Sequence, residues 1–255
     1  MPLKRDELLR TLVDALEKMD EVLALWEDGS ASFGRTDAYS DIDLSAIVKM
    51  GQVSGVAEAA KLALSRVGSI AREYHQATYH GDSQFFWQLA GMSPFNFVDI
   101  TLMERKVEPF RIDRDTHGDP IIHFDKCGCV TVVKEDPNER RARIREGVER
   151  IAAVADLQPL LVQKYILRNE PLHAYGFYQR WMVQPLIELL RMKHCPERSS
   201  FQTTYLMWDL PSDVTKRLGP LMMIAGIEDI DRGVPIVEAW IRTLIDQLRQ
   251  ELTSK

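Results

Sequence analysis

Apolar residues recur along this chain in two rhythms, and the change from one to the other divides it. Near the start, Leu8, Leu9, Leu12, Val13, Leu16 and Met19 fall three and four apart, a spacing that predicts an amphipathic helix over 5–19. The run Val22-Leu23-Ala24-Leu25-Trp26 is too short and too continuous for a surface helix and predicts a buried strand. Leu44-Ser45-Ala46-Ile47-Val48 predicts a second. Ala- and Leu-rich residues 56–67 predict a helix closed by Gly68. Residues 70–77 and 83–89 predict two strands about a Gly81-Asp82 turn, and 97–102 alternate as a strand. Residues 121–124 and 129–133 predict a short hairpin or strand pair around Asp125-Lys126-Cys127-Gly128.

At Lys134-Glu135-Asp136-Pro137 the rhythm becomes almost wholly helical, with candidate helices over 140–155, 159–168, 172–193, 212–223 and 233–252. The expectation is an α+β protein, with a mixed-sheet domain over 1–134 followed by a helical bundle over 135–255. Within 172–193, Pro185 is expected to kink the helix. Tyr178, Arg180, Trp181, Gln184, Glu188 and Arg191 interrupt its Leu and Ile pattern.

Composition narrows the function classes. The chain has 255 residues, 45% hydrophobic and 27% charged, as ordinary globular proteins do. No apolar run approaches a membrane span, and the charged start Lys4-Arg5-Asp6-Glu7 lacks the apolar core of a signal peptide. Three cysteines, Cys127, Cys129 and Cys195, make no disulfide framework. The lone C-x-C reads as strand residues, and the expected location is cytoplasmic, with reduced thiols. The net charge is −6, against the basic stripe that a long nucleic acid needs. The one dense basic run, 140–145, is interleaved with Glu139, Glu146 and Glu149 and reads as a solvated helix face with ion pairs four residues apart. An acidic protein suits a small cationic substrate better.

The chemistry concentrates between the first two predicted strands. Asp28-Gly29-Ser30-Ala31-Ser32-Phe33-Gly34-Arg35 leads into Ser40-Asp41-Ile42-Asp43-Leu44. Asp41 and Asp43, two apart on a strand, point to one face, with Ile42 and Leu44 in the opposite layer. A carboxylate pair on one face repels itself and calls for cations; hard oxygen ligands of this kind take Mg²⁺ together with substrate phosphates. Gly29 allows close backbone approach to an anion, and Ser30 is placed to cap a following helix.

A Gly-Ser turn, a spacer of about a dozen residues and Asp-x-Asp between apolar residues resemble the signature of the DNA polymerase β-like nucleotidyltransferase superfamily. The match covers roughly residues 22–102. Beyond it, length and helical pattern resemble the two-domain small-molecule nucleotidyltransferases of the aminoglycoside type. The resemblance implies that the Gly29-Ser30 turn holds a triphosphate and that Asp41 and Asp43 bind two Mg²⁺ ions. It also implies a third carboxylate on a neighbouring strand. Asp99, inside 97–102, is the candidate, as metal ligand or as general base. Alternation puts Asp99 on the opposite face from Val98, Ile100 and Leu102. Arg35 is a candidate phosphate contact, and Arg180 and its neighbours are candidates to reach nucleotide or acceptor.

The implied activity is transfer of a nucleoside monophosphate, AMP from ATP or the equivalent from another NTP, to a hydroxyl of a small cationic molecule, releasing pyrophosphate. Two alternatives stay open: transfer to a protein or RNA acceptor, as in antitoxin-like members, and a catalytically inactive nucleotide-binding module. No membrane partner is expected.

Overall fold

The computed structural model describes residues 4–78 and 81–254; the first three residues of the chain, read above as part of a start without a signal peptide, lie outside them. The chain divides into two compact units, Met1–Lys134 and Glu135–Lys255.

The first unit is built on a six-stranded mixed sheet. Its strands are β1 (Val22–Glu27), β2 (Ile42–Val48), β3 (Ile70–Ala77), β4 (Ser83–Leu89), β5 (Val98–Glu104) and β7 (Ile121–Asp125), in the order β3-β4-β5-β2-β1-β7. Only β2 and β5 run parallel; every other neighbouring pair is antiparallel. The parallel pair needs a crossover, supplied by helix α3 (Val53–Ser65) and the β3-β4 hairpin. Helices α1 (Arg5–Glu17) and α3 cover one face, where Leu8, Leu12 and Leu16 pack with Ile42, Leu44, Ala46, Val98, Ile100 and Leu102.

On the other face, Ala24, Trp26, Ile47 and Met103 pack against Ile112 and Cys129. Ile112 belongs to β6 (Phe110–Asp113), which pairs in parallel with β8 (Val130–Val133) in a separate two-stranded sheet. Residues 121–124 and 129–133 therefore do not form the expected hairpin: β7 adds to the main sheet beside β1, while β8 turns away to β6. Two exposed isoleucines, Ile121 and Ile122, do not distinguish a hairpin arm from an edge strand, so the local pattern was silent on the partner. Two four-residue helices complete the unit, α2 (Gly29–Ser32) and α4 (Arg114–His117).

The second unit is helical: α5 (Pro137–Ala152), α6 (Gln158–Leu167), α7 (Pro171–Tyr178), α8 (Gln184–His194), α9 (Leu206–Asp209), α10 (Ser212–Met222) and α11 (Ile227–Thr253). Asp136 caps α5 through the N–H of Asn138 (2.8 Å), with Pro137 in the first turn where its missing N–H costs nothing. The expected helix over 172–193 is interrupted by a π-helical turn, Gln179–Val183, immediately before Pro185. Proline offers no N–H to the preceding turn, and a widened turn absorbs the fault. α11 starts six residues before the expected 233 and carries Pro235 inside it. Its stripe of Ile230, Val234, Val237, Ile241, Leu244 and Leu248 forms the spine of this unit's core.

Three groups of side chains in this unit find their place in the fold. Tyr178 is fully buried, its hydroxyl packed where a side chain at Gly233 would otherwise stand, so it is core and presents no ring to a ligand. Arg191 is also fully buried and donates to the carbonyls of Gln202, Arg198 and Thr204 and to Asp209. It binds the segment 198–209 to α8. In the basic run on α5, Arg140 and Arg143 pair with Glu135 just ahead of the helix; beyond the run, Arg150 pairs with Glu188 of α8.

Candidate active site

The parallel β2-β5 pair sets Asp43 directly beside Asp99 in register, with Ser45 beside Thr101 one step further. Neighbouring strands lie about 4.8 Å apart, so the two carboxylates share one patch of the sheet face. Their strand neighbours Ile42, Leu44, Val98 and Ile100 are buried under α1 and α3, which leaves the aspartates on the opposite face. Further along that face Ile47 and Met103 are covered by the small sheet. The polar end stays open as a cleft of about 260 Å³ lined by Asp28, Gly29, Asp43, Gln84, Asp99 and Thr101 among others.

Gly29 sits at φ +60°, and a Cβ on it would stand 1.9 Å from Asp43 Oδ2. The anion that the glycine backbone approaches is thus the protein's own carboxylate. Ser30 is the second residue of α2; the residue in the N-cap position is Asp28, whose side chain makes no capping bond, so the expected Ser30 cap is absent. α2 is pinned from outside: Ser32 Oγ lies 2.8 Å from the Gly29 carbonyl and 2.6 Å from that of His117. Asp119 N–H donates to the Ser32 carbonyl at 2.9 Å.

Asp41 stands one residue before β2, its Oδ1 accepting the Phe97 N–H at 2.6 Å, while Ile42 N–H donates to the Phe97 carbonyl. It fastens the entry of β2 to that of β5 and stays within electrostatic reach of Asp43 and Asp99. Arg35 lies beyond α2 with its guanidinium 5.1 Å over the Phe33 ring and is not among the residues lining the cleft.

A fourth carboxylate joins the site that was not expected as one. Asp28 accepts from Trp26 Nε1 at 2.9 Å, and the neighbouring Ser45 hydroxyl favours its ionised form against the larger effect of burial. Gln84 was also unforeseen; its amide donates to Asp99 Oδ2 at 2.8 Å. Asp28 was visible only as a turn-former before glycine, and Gln84 only as an alternating strand residue. Strand pairing alone brings them to Asp43 and Asp99.

The electrostatics are those of crowded, partly buried carboxylates. Burial, then the charges of Asp41 and Asp28, push Asp43 up to about 6. Burial pushes Asp99 up to about 7 against the Gln84 hydrogen bond, with Asp43 and Asp41 adding to it. Burial also raises Asp28 and Asp41. Asp99 Oδ1 is buried without a hydrogen-bond partner among the described residues. Hard carboxylate oxygens, mutually repelling and partly unsatisfied, fit Mg²⁺.

In the helical unit, Arg180 lies 5.2 Å over the Trp181 ring. It lines a cavity of about 680 Å³ with Arg150, Gln158, Trp181, Gln184 and Glu188. Gln158 is 5% exposed, and its Oε1 has no partner among the described residues. This cavity is larger than the aspartate cleft, but the cleft is lined by three carboxylates, Asp28, Asp43 and Asp99, with the charge of Asp41 acting on it from nearby.

No family model matches the chain, and neither does any curated protein. Among solved structures it is similar to an aminoglycoside 6-adenyltransferase from Bacillus subtilis, at 11% identity and TM-score 0.38, over 98% of this chain and 92% of that one. It is also similar to spectinomycin adenyltransferase AAD(9) from Enterococcus faecialis, solved with ATP and spectinomycin. That match has 11% identity and TM-score 0.31, over 96% of this chain and all of that one. Scores at this level do not carry function across.

Proposed function

We propose that the chain is a nucleotidyltransferase that moves a nucleoside monophosphate, AMP from ATP in the first instance, to a hydroxyl of a small molecule. The observation that carries this is the registration of Asp43 beside Asp99 on adjacent parallel strands, with the Gly29 turn packed against the Asp43 carboxylate. Asp41 and Asp43 are the residues to hold Mg²⁺, with Asp99 adjoining. Bound there, the metal neutralises phosphate charge and stabilises the pyrophosphate leaving group.

The protein's own groups do the rest. Asp99 Oδ2 is anchored by Gln84, so Oδ1 is the oxygen left to take the acceptor hydroxyl's proton or to share the metal. A carboxylate raised to about 7 is matched to proton transfer near neutrality. Asp28, held by Trp26 and Ser45, keeps Asp43 repelled and so raises the value of bound metal. An acidic chain favours a cationic acceptor.

The test is pyrophosphate release from ATP and Mg²⁺ against a panel of hydroxyl-bearing small molecules, with the adenylylated product identified by mass spectrometry. Asp99→Asn should cut kcat at least a hundredfold while ATP affinity changes little, in the range usual for a lost general base. Wild-type turnover by an Asp41→Asn, Asp43→Asn double variant would end the proposal. Adducts on a protein or RNA in place of small molecules would shift the acceptor class.

A further inference from the structure

The C-x-C, read from sequence as a pair of strand residues, sits in a different chemical setting in the fold. Asp125 ends β7, and Gly128, at φ +62°, folds the chain back so that Cys129 enters β8. This tight turn gathers the carboxylate of Asp125 and the thiols of Cys127 and Cys129, with one ligand atom from each lying within 4.8 Å of the others. Both thiols are free, Cys127 exposed and Cys129 buried. Among the described residues this is the one group of three or more metal-ligating side chains so assembled.

We propose that Asp125, Cys127 and Cys129 form a site for a thiophilic divalent cation of the zinc class, separate from the Mg²⁺ chemistry assigned to the aspartate cleft and independent of that assignment.

The ligand set separates the two sites by softness: sulfur selects zinc-like ions, whereas the all-carboxylate cleft selects magnesium. The dimensions are close to what is needed. Zn–S and Zn–O bonds of about 2.3 and 2.1 Å in a tetrahedron hold neighbouring ligand atoms roughly 3.4–3.8 Å apart. The turn is rigid without metal. Asp125 Oδ1 accepts the N–H groups of Cys127 (3.2 Å) and Cys129 (3.0 Å), and Oδ2 accepts that of Val130 (3.0 Å). The Cys129 thiol is directed at Oδ1, at 3.5 Å. A carboxylate oxygen accepts two bonds, so Oδ2 retains one free position. On binding, both thiol protons leave to solvent, and the ion takes two thiolates and Oδ2, with its fourth position open to water on the exposed Cys127 side. The ion would staple the end of β7, in the six-stranded sheet, to the start of β8, in the two-stranded one.

Cobalt(II) reports sulfur ligation by a near-ultraviolet charge-transfer band that oxygen ligands do not give. The full-length protein, reduced and kept anaerobic, is titrated with Co²⁺ and then with Zn²⁺. The proposal expects a saturable sulfur band displaced by Zn²⁺, present in wild type and in the Asp41→Asn, Asp43→Asn double variant. It expects the band to be lost in Cys127→Ser, which keeps Cys129 and Cys195 and alters an exposed side chain alone. Asp125→Asn should retain the band with Co²⁺ affinity at least tenfold weaker. Zn²⁺ should raise the unfolding midpoint of wild type and not that of Cys127→Ser. A missing band in folded wild type, or an undiminished band in Cys127→Ser, would overturn the site. Neither result bears on nucleotidyl transfer.

Discussion

Asp43→Asn should make the metal-free protein more stable, and only above the pH at which Asp43 ionises. Asparagine is nearly isosteric with aspartate, and the backbone bond from Asp28 N–H to the Asp43 carbonyl is untouched. What changes is charge. Asp43 titrates at about 6 in the folded protein against an ordinary 3.8. Its folded value is raised, so the folded state binds the proton more tightly than the unfolded one. Stability is therefore full below about pH 4 and is lost as pH rises through about 6. A shift of about two units corresponds to roughly 3 kcal/mol. Because the cleft is open to solvent and screened, about 1–2 kcal/mol of this is expected to appear. For a unit of this size that is an increase in the unfolding midpoint of several degrees, on the order of 3–8 °C. The assay is thermal unfolding of wild type and variant with chelator present, at about pH 8 and about pH 4. The variant should lead at the higher pH and show no advantage at the lower. Mg²⁺ should reverse the order: wild type gains about 2.7 kcal/mol at a hundredfold excess over its dissociation constant, and the variant loses most of that gain. A variant no more stable than wild type at about pH 8 without metal, or one equally favoured at both pH values, would refute the reading that burial, reinforced by the neighbouring carboxylates, makes the Asp43 charge costly.

Three further outcomes test other parts of the site and its scaffold. Gly29→Ala should destabilise by about 1–2 kcal/mol from the left-handed backbone alone. It should also abolish Mg²⁺-dependent stabilisation, because its Cβ would displace the Asp43 carboxylate; normal metal-linked stability in a folded variant would contradict this packing. Gln84→Leu removes a hydrogen bond that lowers Asp99, so Asp99 should titrate above 7 and the acid limb of the kcat profile should move to higher pH; an unmoved limb would exclude Asp99 as the titrating base. Asp209→Ala leaves the fully buried Arg191 without its ion-pair partner and should cost about 3–5 kcal/mol in urea unfolding, with a loss under about 1 kcal/mol showing that the Gln202 and Thr204 carbonyls suffice.

The elements easiest to read in the sequence were those whose signal is local. α1 and the strands β1 to β5 announce themselves by period, and the change of period near 134 coincides with the division at Lys134. Asp43 and Asp99 could be placed on one face because alternation fixes facing once two strands are neighbours. Partner choice was not legible. β7 and β8 are adjacent in sequence and yet belong to different sheets, and nothing in Ile121-Ile122-His123-Phe124 says that β1 will receive it. The π-helical turn was half legible: Pro185 marks the fault, but whether a helix kinks or widens depends on what packs around it. Arg191 misled because a polar residue on a helix reads alike whether it meets a ligand or a buried network.

Asp28 shows why a motif underdescribes its own site. As sequence it is an acid before a glycine, the commonest of turn signals. In the fold Trp26, two residues earlier on β1, is almost completely buried and spends its indole N–H on the Asp28 carboxylate. Ser45, reached only through the β1-β2 pairing, further favours the ionised form of Asp28. These contacts hold an anion beside Asp43 where relaxation of the turn would otherwise carry it into water. The repulsion is thereby built into the first β-turn-β unit and does not depend on later strands. β5 then adds Asp99, whose Oδ1 has no hydrogen-bond partner among the described residues. Such an arrangement persists only where the rest of the unit overdetermines it. The two apolar layers on either side of the sheet and the bonds that pin α2 from outside supply that constraint. The crowding of carboxylates at the cleft is therefore a property of the whole first unit, with the Asp-x-Asp signature as its most local part.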